Sequence, residues 1–136
     1  MSALRDSDVS VEAARGLVVN ADRSRIAQVV VNLLTNAKRY GRRRILVTAR
    51  RVEDYVQVSV HDDGEGVPRR FHDSIWERFE RGAHRLDATG PGSGIGLYVV
   101  RSLVEAHGGT VWYQRSDRLG GACFTFALPA STEATA

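Results

Sequence analysis

A long helix is predicted between Asp22 and Gly41 from the spacing of the hydrophobic residues. These residues recur every three or four positions, which places them on one face of a helix: Ile26, Val29, Val30, Leu33, Leu34 and Ala37. Asp22 is a favourable N-cap, and Gly41 is a favourable stop at the other end. The pattern therefore predicts an amphipathic helix that runs to about Tyr40.

Polar residues form a second line along the same helix. Asn32, Asn36 and Tyr40 are each four positions apart and lie beside the hydrophobic stripe, with Arg39 alongside. Asparagine is unfavourable in the middle of a helix because its amide competes for backbone hydrogen bonds. Its neutral oxygen suits a hard cation such as Mg²⁺. The two asparagines therefore indicate either the wall of a polar cleft or two surface residues without a role.

The rest of the chain reads as short strands and one more helix. Alternating hydrophobic and polar residues predict strands at 17–19, 45–52, 55–61, 110–114 and 122–128. A second helix is predicted over residues 97–107, and Gly108 and Gly109 end it. Residues 62–93 are expected to be mostly loop, with a short helical piece over 71–79. The expected fold is α/β: a two-layer sandwich with a mixed, mostly antiparallel sheet packed against helices.

Length and composition fit one soluble domain. The chain has 136 residues, of which 43% are hydrophobic and 26% are charged, which suits a single buried core. Weak patterning at the ends predicts a linker or N-terminal remnant over residues 1–14, the domain over 15–129 and a disordered tail over 130–136. No stretch is long and apolar enough to span a membrane, and the polar start does not resemble a signal peptide. These features predict a cytoplasmic protein.

The charge of the chain is basic, with a net value of +3 and several clusters of arginine. Aromatic residues do not alternate with these arginines, so a solvated basic face is favoured over a nucleic-acid partner. Basic residues also suit a polyphosphate ligand or an acidic protein. The single cysteine, Cys123, cannot form an internal disulfide, and the four scattered histidines give no zinc-binding spacing.

Two segments that contain glycine carry candidate chemistry. In DDGEG, a predicted strand ends at Asp62, and Gly64 and Gly66 follow. A buried carboxylate there could accept a hydrogen bond from a ligand amine, although a simple acidic turn has the same sequence. In GPGSGIGL, residues 90–97, a glycine-rich loop leads into a helix N-terminus, an arrangement that receives phosphate. The spacing disfavours a dinucleotide-binding fold and does not match a P-loop.

The order and spacing of four motifs resemble the catalytic, ATP-binding domain of bacterial two-component sensor histidine kinases. The segments NLLTNAKRY, DDGEG, IWERFERG and GSGIGL resemble the N, G1, F and G2 boxes of that family. The family belongs to the HATPase_c, or GHKL, superfamily, which includes gyrase and has the Bergerat ATP-binding fold. The resemblance extends over about residues 17–129 and implies ATP and Mg²⁺ as ligands.

The resemblance implies roles for individual residues. Asn36 would ligate Mg²⁺ and, with Asn32, would have a catalytic role. Asp62 would accept a hydrogen bond from the adenine amine, which selects ATP over GTP. Phe79 would anchor a lid over residues 82–93. The implied nucleotide site comprises Asn36, Lys38, Arg39, Tyr40, Asp62, Gly64, Gly66, Phe79, Gly92, Ser93, Gly94, Ile95, Gly96 and Leu97.

Other members of this set have roles in contacting the nucleotide. Asn32, Lys38 and Arg39 would line the phosphate side, and Tyr40 would pack near the nucleotide. Gly64 and Gly66 would make room for the base. The glycines of the G2 box would let the lid and the helix N-terminus approach the phosphates, and they would let the lid hinge.

The residue at position 32 bears on the reaction. Hydrolytic members of the superfamily carry a glutamate there, as general base for water, and this chain carries Asn32. An amide cannot take a proton from water at neutral pH, so slow hydrolysis and transfer of the γ-phosphate to another group are expected. In these kinases the acceptor is a histidine on a separate dimerisation domain, and none of the four histidines here has its usual sequence setting. The implied partners are the dimerisation and phosphoacceptor helices of a parent kinase and a response regulator.

Three alternatives belong to other functional classes. A free-standing anti-sigma-factor serine kinase ranks second, because that family usually keeps an acidic residue in its N box and lacks an F box like IWERFERG. The others are a non-catalytic ATP-binding regulator and a basic interaction module without a nucleotide site. The isolated chain is expected to be monomeric because dimerising helices are absent. It is expected to be cytoplasmic, either alone or as the cytoplasmic part of a membrane-bound kinase.

Overall fold

Five strands form one mixed sheet in the computed structural model, which describes residues 8–77 and 96–131. The strands are β1 Asp8–Ala13, β2 Arg44–Val52, β3 Tyr55–Asp62, β4 Thr110–Arg115 and β5 Ala122–Pro129. Their order across the sheet is β1-β2-β3-β5-β4, with β1 parallel to β2 and every other pair antiparallel. Two helices, α1 Arg23–Tyr40 and α2 Gly96–Ala106, contact each other and pack on the sheet. The predicted two-layer α/β sandwich is therefore confirmed.

The ends of α1 are fixed by the residues that the sequence indicates. Oδ1 of Asp22 accepts hydrogen bonds from the backbone N–H groups of Ser24 and Arg25, at 3.0 and 3.2 Å. At the other end, the N–H of Gly41 donates to the carbonyl of Ala37. His107, which directly follows α2, accepts a hydrogen bond from the N–H of Asp22, so the end of α2 is joined to the start of α1.

The core lies between the helices and one face of the sheet. Residues of α1 that are buried there include Val29, Leu33 and Ala37, as the hydrophobic stripe predicts. Successive side chains of a strand point to opposite faces, and the residues of β3 and β5 that face the helices are Val56, Val58, Val60, Phe124, Phe126 and Leu128. The same alternation puts Asp62 on the helix side and His61 on the opposite side.

The first strand differs from the prediction. Residues 17–19 were expected to form a strand, but in this segment only Val19 forms a bridge, with Ala130. The strand is β1, residues 8–13, which pairs in parallel with β2 although the sequence analysis placed it outside the folded unit. All six of its residues are exposed. An edge strand held by backbone pairing buries no stripe of side chains, so its sequence carries little signal.

Two other boundaries also differ. The predicted tail is hydrogen-bonded at its start, because the N–H of Ala130 donates to Asp54 and that of Ser131 donates to Val18. The short helical piece predicted over 71–79 is a 3₁₀ helix, Arg69–Phe71, followed by turns. It begins earlier because Pro68 presets the backbone for a turn. Each of the remaining strands, and α2, agrees with its prediction to within one residue at either end.

Neither described helix combines the length and the apolar character needed to cross a bilayer.

Candidate functional site

The polar line of α1 forms one wall of the candidate site. Asn32 and Asn36 are half-buried beside the core stripe, on the flank that meets α2. The side-chain N–H of Asn32 donates to the backbone carbonyl of Gly96, the first residue of α2, at 3.4 Å. The polar line therefore lies beside the start of α2. This placement favours a cleft wall over two surface asparagines without a role.

A buried carboxylate lies at the end of β3. Asp62 is only 2% exposed, and its Oδ1 accepts hydrogen bonds from the N–H of Gly64 at 2.8 Å and of Ala122 at 3.1 Å. Its main-chain carbonyl accepts a further hydrogen bond from Gly121. These donors come from the loop after β3 and from the turn before β5. The orientation of the Asp62 carboxylate is thus fixed by backbone groups on both sides.

Glycine is required around this carboxylate because main-chain segments meet there. A Cβ atom on Gly64 would collide with the carbonyl of Tyr40 at the end of α1. A Cβ atom on Gly121 would collide with Oδ1 of Asp62 and would lie 2.5 Å from the N–H nitrogen of Gly64. Close packing of the protein itself therefore excludes a side chain at both positions, and the role of Gly64 in making room for a base stays a prediction.

Gly66 has a conformational reason of its own. Its φ of +81° is in the left-handed region that glycine adopts most readily. The loop around it is held by β4, because the N–H of Val67 donates to the hydroxyl of Tyr113 at 3.0 Å. The guanidinium of Arg115 also donates to the carbonyl of Glu65 at 3.2 Å. The segment after Asp62 is therefore anchored at several points.

The neighbouring carboxylate, Asp63, has a structural task. Its two oxygens accept hydrogen bonds from the backbone N–H groups of Arg42, Arg43 and Arg44, at 2.9, 2.9 and 3.1 Å. Partial burial acts to raise the pKa of Asp63, but these donors outweigh burial and hold the pKa below its ordinary value of 3.8. Asp63 thereby fixes the connection between α1 and β2.

The basic end of α1 is divided between two sides of the helix. Arg39 lies two turns beyond Asn32 on nearly the same line, and its guanidinium is 5.8 Å from the centre of the Tyr40 ring. Lys38 lies about 200° around the helix axis from Asn36. The helix therefore brings Arg39 and Tyr40 to the polar line and directs Lys38 away from Asn36, and the role of Lys38 at the phosphates stays a prediction.

The start of α2 supplies the last described part of the site. Within residues 8–77 and 96–131, no heavy atom lies within 4 Å of the place where a Cβ on Gly96 would be. Leu97 is partly buried and packs against the hydrophobic core, and its place in the nucleotide site stays a prediction. The predicted lid, residues 82–93, lies outside the described residues. So do five of the predicted site residues: Phe79, Gly92, Ser93, Gly94 and Ile95.

Sequence reasoning missed the part of the site that comes from the turn between β4 and β5. Gly121 and Ala122 hold Asp62 through their N–H groups, yet the sequence analysis gave neither residue a role in the site. The sequence signal for this part of the site was the pair of adjacent glycines, Gly120 and Gly121, because a tight turn needs only one glycine. Their closeness to Asp62 depends on the register between β3 and β5, in which His61 is opposite Cys123.

A family model for the histidine kinase-, DNA gyrase B- and HSP90-like ATPases matches residues 21–132. The chain belongs to this ATPase family. The match confirms the resemblance that the four motifs indicate, and it covers α1, the sheet from β2 onward and α2. Within the family, this chain is an ATP-binding catalytic domain of the histidine kinase type.

Named relatives of this family member are a sensory kinase and a sensor protein. It is 41% identical over 114 residues to the adaptive-response sensory kinase SasA of Synechococcus sp. (strain CC9902), covering 82% of this chain and 29% of that protein. It is 36% identical over 132 residues to the sensor protein ChvG of Agrobacterium fabrum, covering 92% of this chain and 22% of ChvG. The chain therefore spans less than a third of the length of these curated relatives.

A solved structure with the same fold is the nucleotide-free catalytic domain of the histidine kinase ThkA. The two chains superpose with a TM-score of 0.78 at 30% identity, over 95% of this chain and 82% of the ThkA domain. The likeness extends over almost the whole of the chain, which agrees with its assignment as one catalytic domain.

Proposed function

We propose that this domain binds Mg-ATP and donates the γ-phosphate to a histidine on a separate dimerisation domain, for onward transfer to an aspartate of a response regulator. One observation carries the proposal. Helix α1 connects the buried carboxylate with the start of α2: Gly41, which ends the helix, packs against Asp62, and Asn32, earlier in the same helix, donates to the carbonyl of Gly96. A carboxylate, neutral amides and a helix N-terminus are the groups that adenine, magnesium and phosphate need.

The base would be recognised by Asp62. A carboxylate accepts hydrogen bonds and donates none, so it suits the exocyclic amine of adenine and opposes the carbonyl that guanine carries at the same place. The N–H groups of Gly64 and Ala122 already orient the carboxylate. Little reorganisation is then required when the base arrives, which favours affinity. Selection of ATP over GTP follows from this arrangement.

The phosphates would lie at the start of α2. The first N–H groups of a helix have no intrahelical partner, and the helix dipole favours an anion there. Among the residues that the structure describes, none comes within 4 Å of the place where a Cβ on Gly96 would be, so none of them blocks a phosphate there. Asn32 holds the carbonyl of Gly96 and so fixes the start of α2 against α1. Arg39, on the same line, would supply positive charge toward the phosphates.

Magnesium would be held by the amide oxygen of Asn36. Mg²⁺ at nucleotide sites keeps several waters and binds one or two protein oxygens together with phosphate oxygens, so a single amide is a sufficient protein contribution. In residues 8–77 and 96–131 there is no group of three or more His, Cys, Asp and Glu side chains placed to hold a metal. The bound ion would neutralise phosphate charge, and Asn36 would set its position.

Transfer is favoured over hydrolysis by the amide at position 32. The Asn32 side chain donates to a carbonyl and has no basic site that could deprotonate water. Its part is to hold the helix start in place while the terminal phosphate remains available to an incoming nucleophile. We therefore expect a long-lived ATP complex in the absence of an acceptor.

The nucleotide site can be tested by calorimetric titration with ATP and with GTP, with and without Mg²⁺. The decisive variant is Asp62→Asn, which keeps the shape and can still accept from the N–H groups of Gly64 and Ala122. Its matched control is Asp63→Asn, the adjacent carboxylate with a structural task. We expect magnesium-dependent binding of ATP that Asp62→Asn loses and Asp63→Asn retains. Equal binding of ATP and GTP, or full binding by Asp62→Asn, would overturn the proposal.

Phosphotransfer is tested by adding the purified phosphoacceptor domain of a sensor kinase relative together with γ-labelled ATP. Acid-labile, alkali-stable label on that domain is expected, and Asn36→Ala should abolish it. Alkali-labile label on a serine would instead support the anti-sigma-factor alternative.

A further inference from the structure

A buried chain of polar side chains lies on the sheet face opposite the helices. The hydroxyl oxygen of Ser116 accepts hydrogen bonds from the N–H groups of Leu119 at 2.9 Å and Arg118 at 3.3 Å. The same oxygen is 2.8 Å from Nδ1 of His61. Both lone pairs of the oxygen are used by the backbone donors, so the hydroxyl proton is directed to Nδ1.

This geometry fixes the tautomer of His61. Nδ1 accepts the hydroxyl proton of Ser116, so the ring proton is on Nε2, which lies 3.7 Å from Sγ of Cys123. His61 is 5% exposed and Ser116 is 3% exposed, so water does not complete these contacts. Neutral His61 is therefore the form that the hydrogen-bond pattern requires.

The turn that Ser116 closes is the one that holds Asp62. The backbone N–H of Ser116 donates to the carbonyl of Gly121 at 2.7 Å, and the main-chain carbonyl of Ser116 accepts from the N–H of Gly120 at 3.0 Å. Gly121 and the next residue, Ala122, then donate to the carbonyl and to Oδ1 of Asp62. The His61 side chain thus fixes the start of the turn at Ser116. The end of the turn, at Gly121 and Ala122, fixes Asp62, the residue that follows His61.

We propose that His61 and Ser116 are positioning residues for the Asp62 carboxylate, and that protonation of His61 releases the turn and weakens ATP binding. The inference rests on the proposed function, because it concerns the group that recognises the base. Neither residue touches the nucleotide in this scheme. Both act through the N–H groups of Gly121 and Ala122.

Protonation conflicts with the hydrogen-bond pattern because both ring nitrogens of His61 would then be donors. The new Nδ1–H would point at the Ser116 oxygen, which already accepts two N–H groups and can form no third bond without losing one. Either the hydroxyl rotates and His61 loses its hydrogen bond to Ser116, or the N–H group of Leu119 or Arg118 loses its hydrogen bond to the same oxygen. Each outcome removes a contact that closes the turn.

The charges around His61 come from the turn and from the far edge of the sheet. Burial lowers the pKa of His61 below 6.5, and Arg118 lowers it further, while Asp117 and Glu12 act in the opposite direction. Glu12 of β1 is paired with Arg118 at 3.1 Å, and burial raises the pKa of the neighbouring Cys123 thiol. His61 is therefore neutral at pH 7 and takes up a proton only in acid.

The test compares the pH dependence of ATP affinity in the wild-type chain and in His61→Asn. Asparagine offers an oxygen that accepts from Ser116 and does not titrate, so it should preserve binding at pH 7.5. Calorimetric titrations from pH 7.5 to 5 should give constant wild-type affinity above about pH 6.5. Below the His61 pKa, the wild-type affinity should fall relative to His61→Asn by up to about tenfold per pH unit. The protonation of ATP itself is the same in both titrations and cancels.

Further variants separate positioning from general stability. His107→Asn removes a different histidine and should keep the acid-dependent loss. Ser116→Ala should weaken ATP binding at pH 7.5 and shift the amide resonances of Gly121 and Ala122. If His61→Asn does not fold, His61→Gln provides the same non-titrating acceptor. Superimposable pH profiles of wild type and His61→Asn, with ATP bound at pH 7.5, would overturn this inference alone. Absence of ATP binding at pH 7.5 would overturn it together with the proposed function.

Discussion

The backbone N–H of Gly121 donates a hydrogen bond of 3.0 Å to the main-chain carbonyl of Asp62. The contact is so close that a side chain on Gly121 would collide with the Asp62 carboxylate. A turn far along the chain therefore determines where the proposed base-recognising group lies. Substitutions in this turn should affect nucleotide binding even though they do not touch the nucleotide.

Gly121→Ala should lower both stability and ATP affinity. The added methyl group has to displace Asp62 or the backbone of Gly64, and overpacking of this kind destabilises by about 1–3 kcal/mol. Thermal unfolding and calorimetric titration measure the two effects. Gly96→Ala is the control for stability, because no atom of the described part of the chain lies within 4 Å of the added methyl group, and it should unfold at an unchanged or higher temperature. An unchanged melting temperature for Gly121→Ala would contradict the packing described here.

Asp63→Asn should destabilise the fold in a pH-dependent way. The substitution removes the charge and replaces one oxygen that accepts a backbone N–H, which corresponds to about 1–2 kcal/mol near pH 7. Because the folded-state pKa of Asp63 is below 3.8, its contribution is complete above about pH 4. It is lost as the pH falls through the lowered value.

Urea unfolding at several pH values measures this difference between wild type and Asp63→Asn. The exposed Asp54, whose side chain is 96% accessible, supplies the control Asp54→Asn, for which little change is expected. A difference for Asp63→Asn that stays constant from pH 7 to pH 3 would show that the charge of Asp63 is not what the three backbone donors require.

The hydrophobic stripe of α1 can be tested by one substitution at two positions. Val29 is fully buried and Val31 is 57% exposed. Val29→Ala should reduce the free energy of unfolding by about 2–3 kcal/mol, because it removes buried methyl groups and leaves a cavity. Val31→Ala should change it by less than about 0.5 kcal/mol. Chemical denaturation measures both, and similar losses would mean that α1 is rotated relative to the sheet.

Asn32 should control phosphate transfer more than ATP binding. Asn32→Ala removes the contact with Gly96 and should leave ATP affinity within about threefold of wild type while transfer to an added phosphoacceptor domain is lost. Thr35→Ala, an exposed position on the same helix, should leave both unchanged. Steady-state phosphate release by the wild-type chain should be slow. Rapid turnover without an acceptor would show that another group activates water.

The sequence predicted helix α1 more completely than it predicted the roles of the two neighbouring carboxylates. The limits of α1, and the burial of its stripe, agree with the pattern because a cap and a period of 3.6 are local features. The strand end at Asp62 was predicted for the same reason. The different roles of Asp62 and Asp63 were not predicted, because these roles depend on the side of the sheet on which each carboxylate lies. Lys38 and Arg39 lie about 100° apart around the helix axis, and this separation follows from helix geometry but not from the motif.

The sequence by itself determined the elements, the order of the four motifs and the membership of the ATPase family, because periodicity, caps and motif spacing are properties of neighbouring residues. Only the tertiary structure decided that β1 completes the sheet, that Gly121 fixes Asp62 and that His61 is buried in a hydrogen bond with Ser116. Each of these depends on strand register or on a backbone contact between distant segments. Such contacts form when the chain is closed into a sheet, and no local pattern records them.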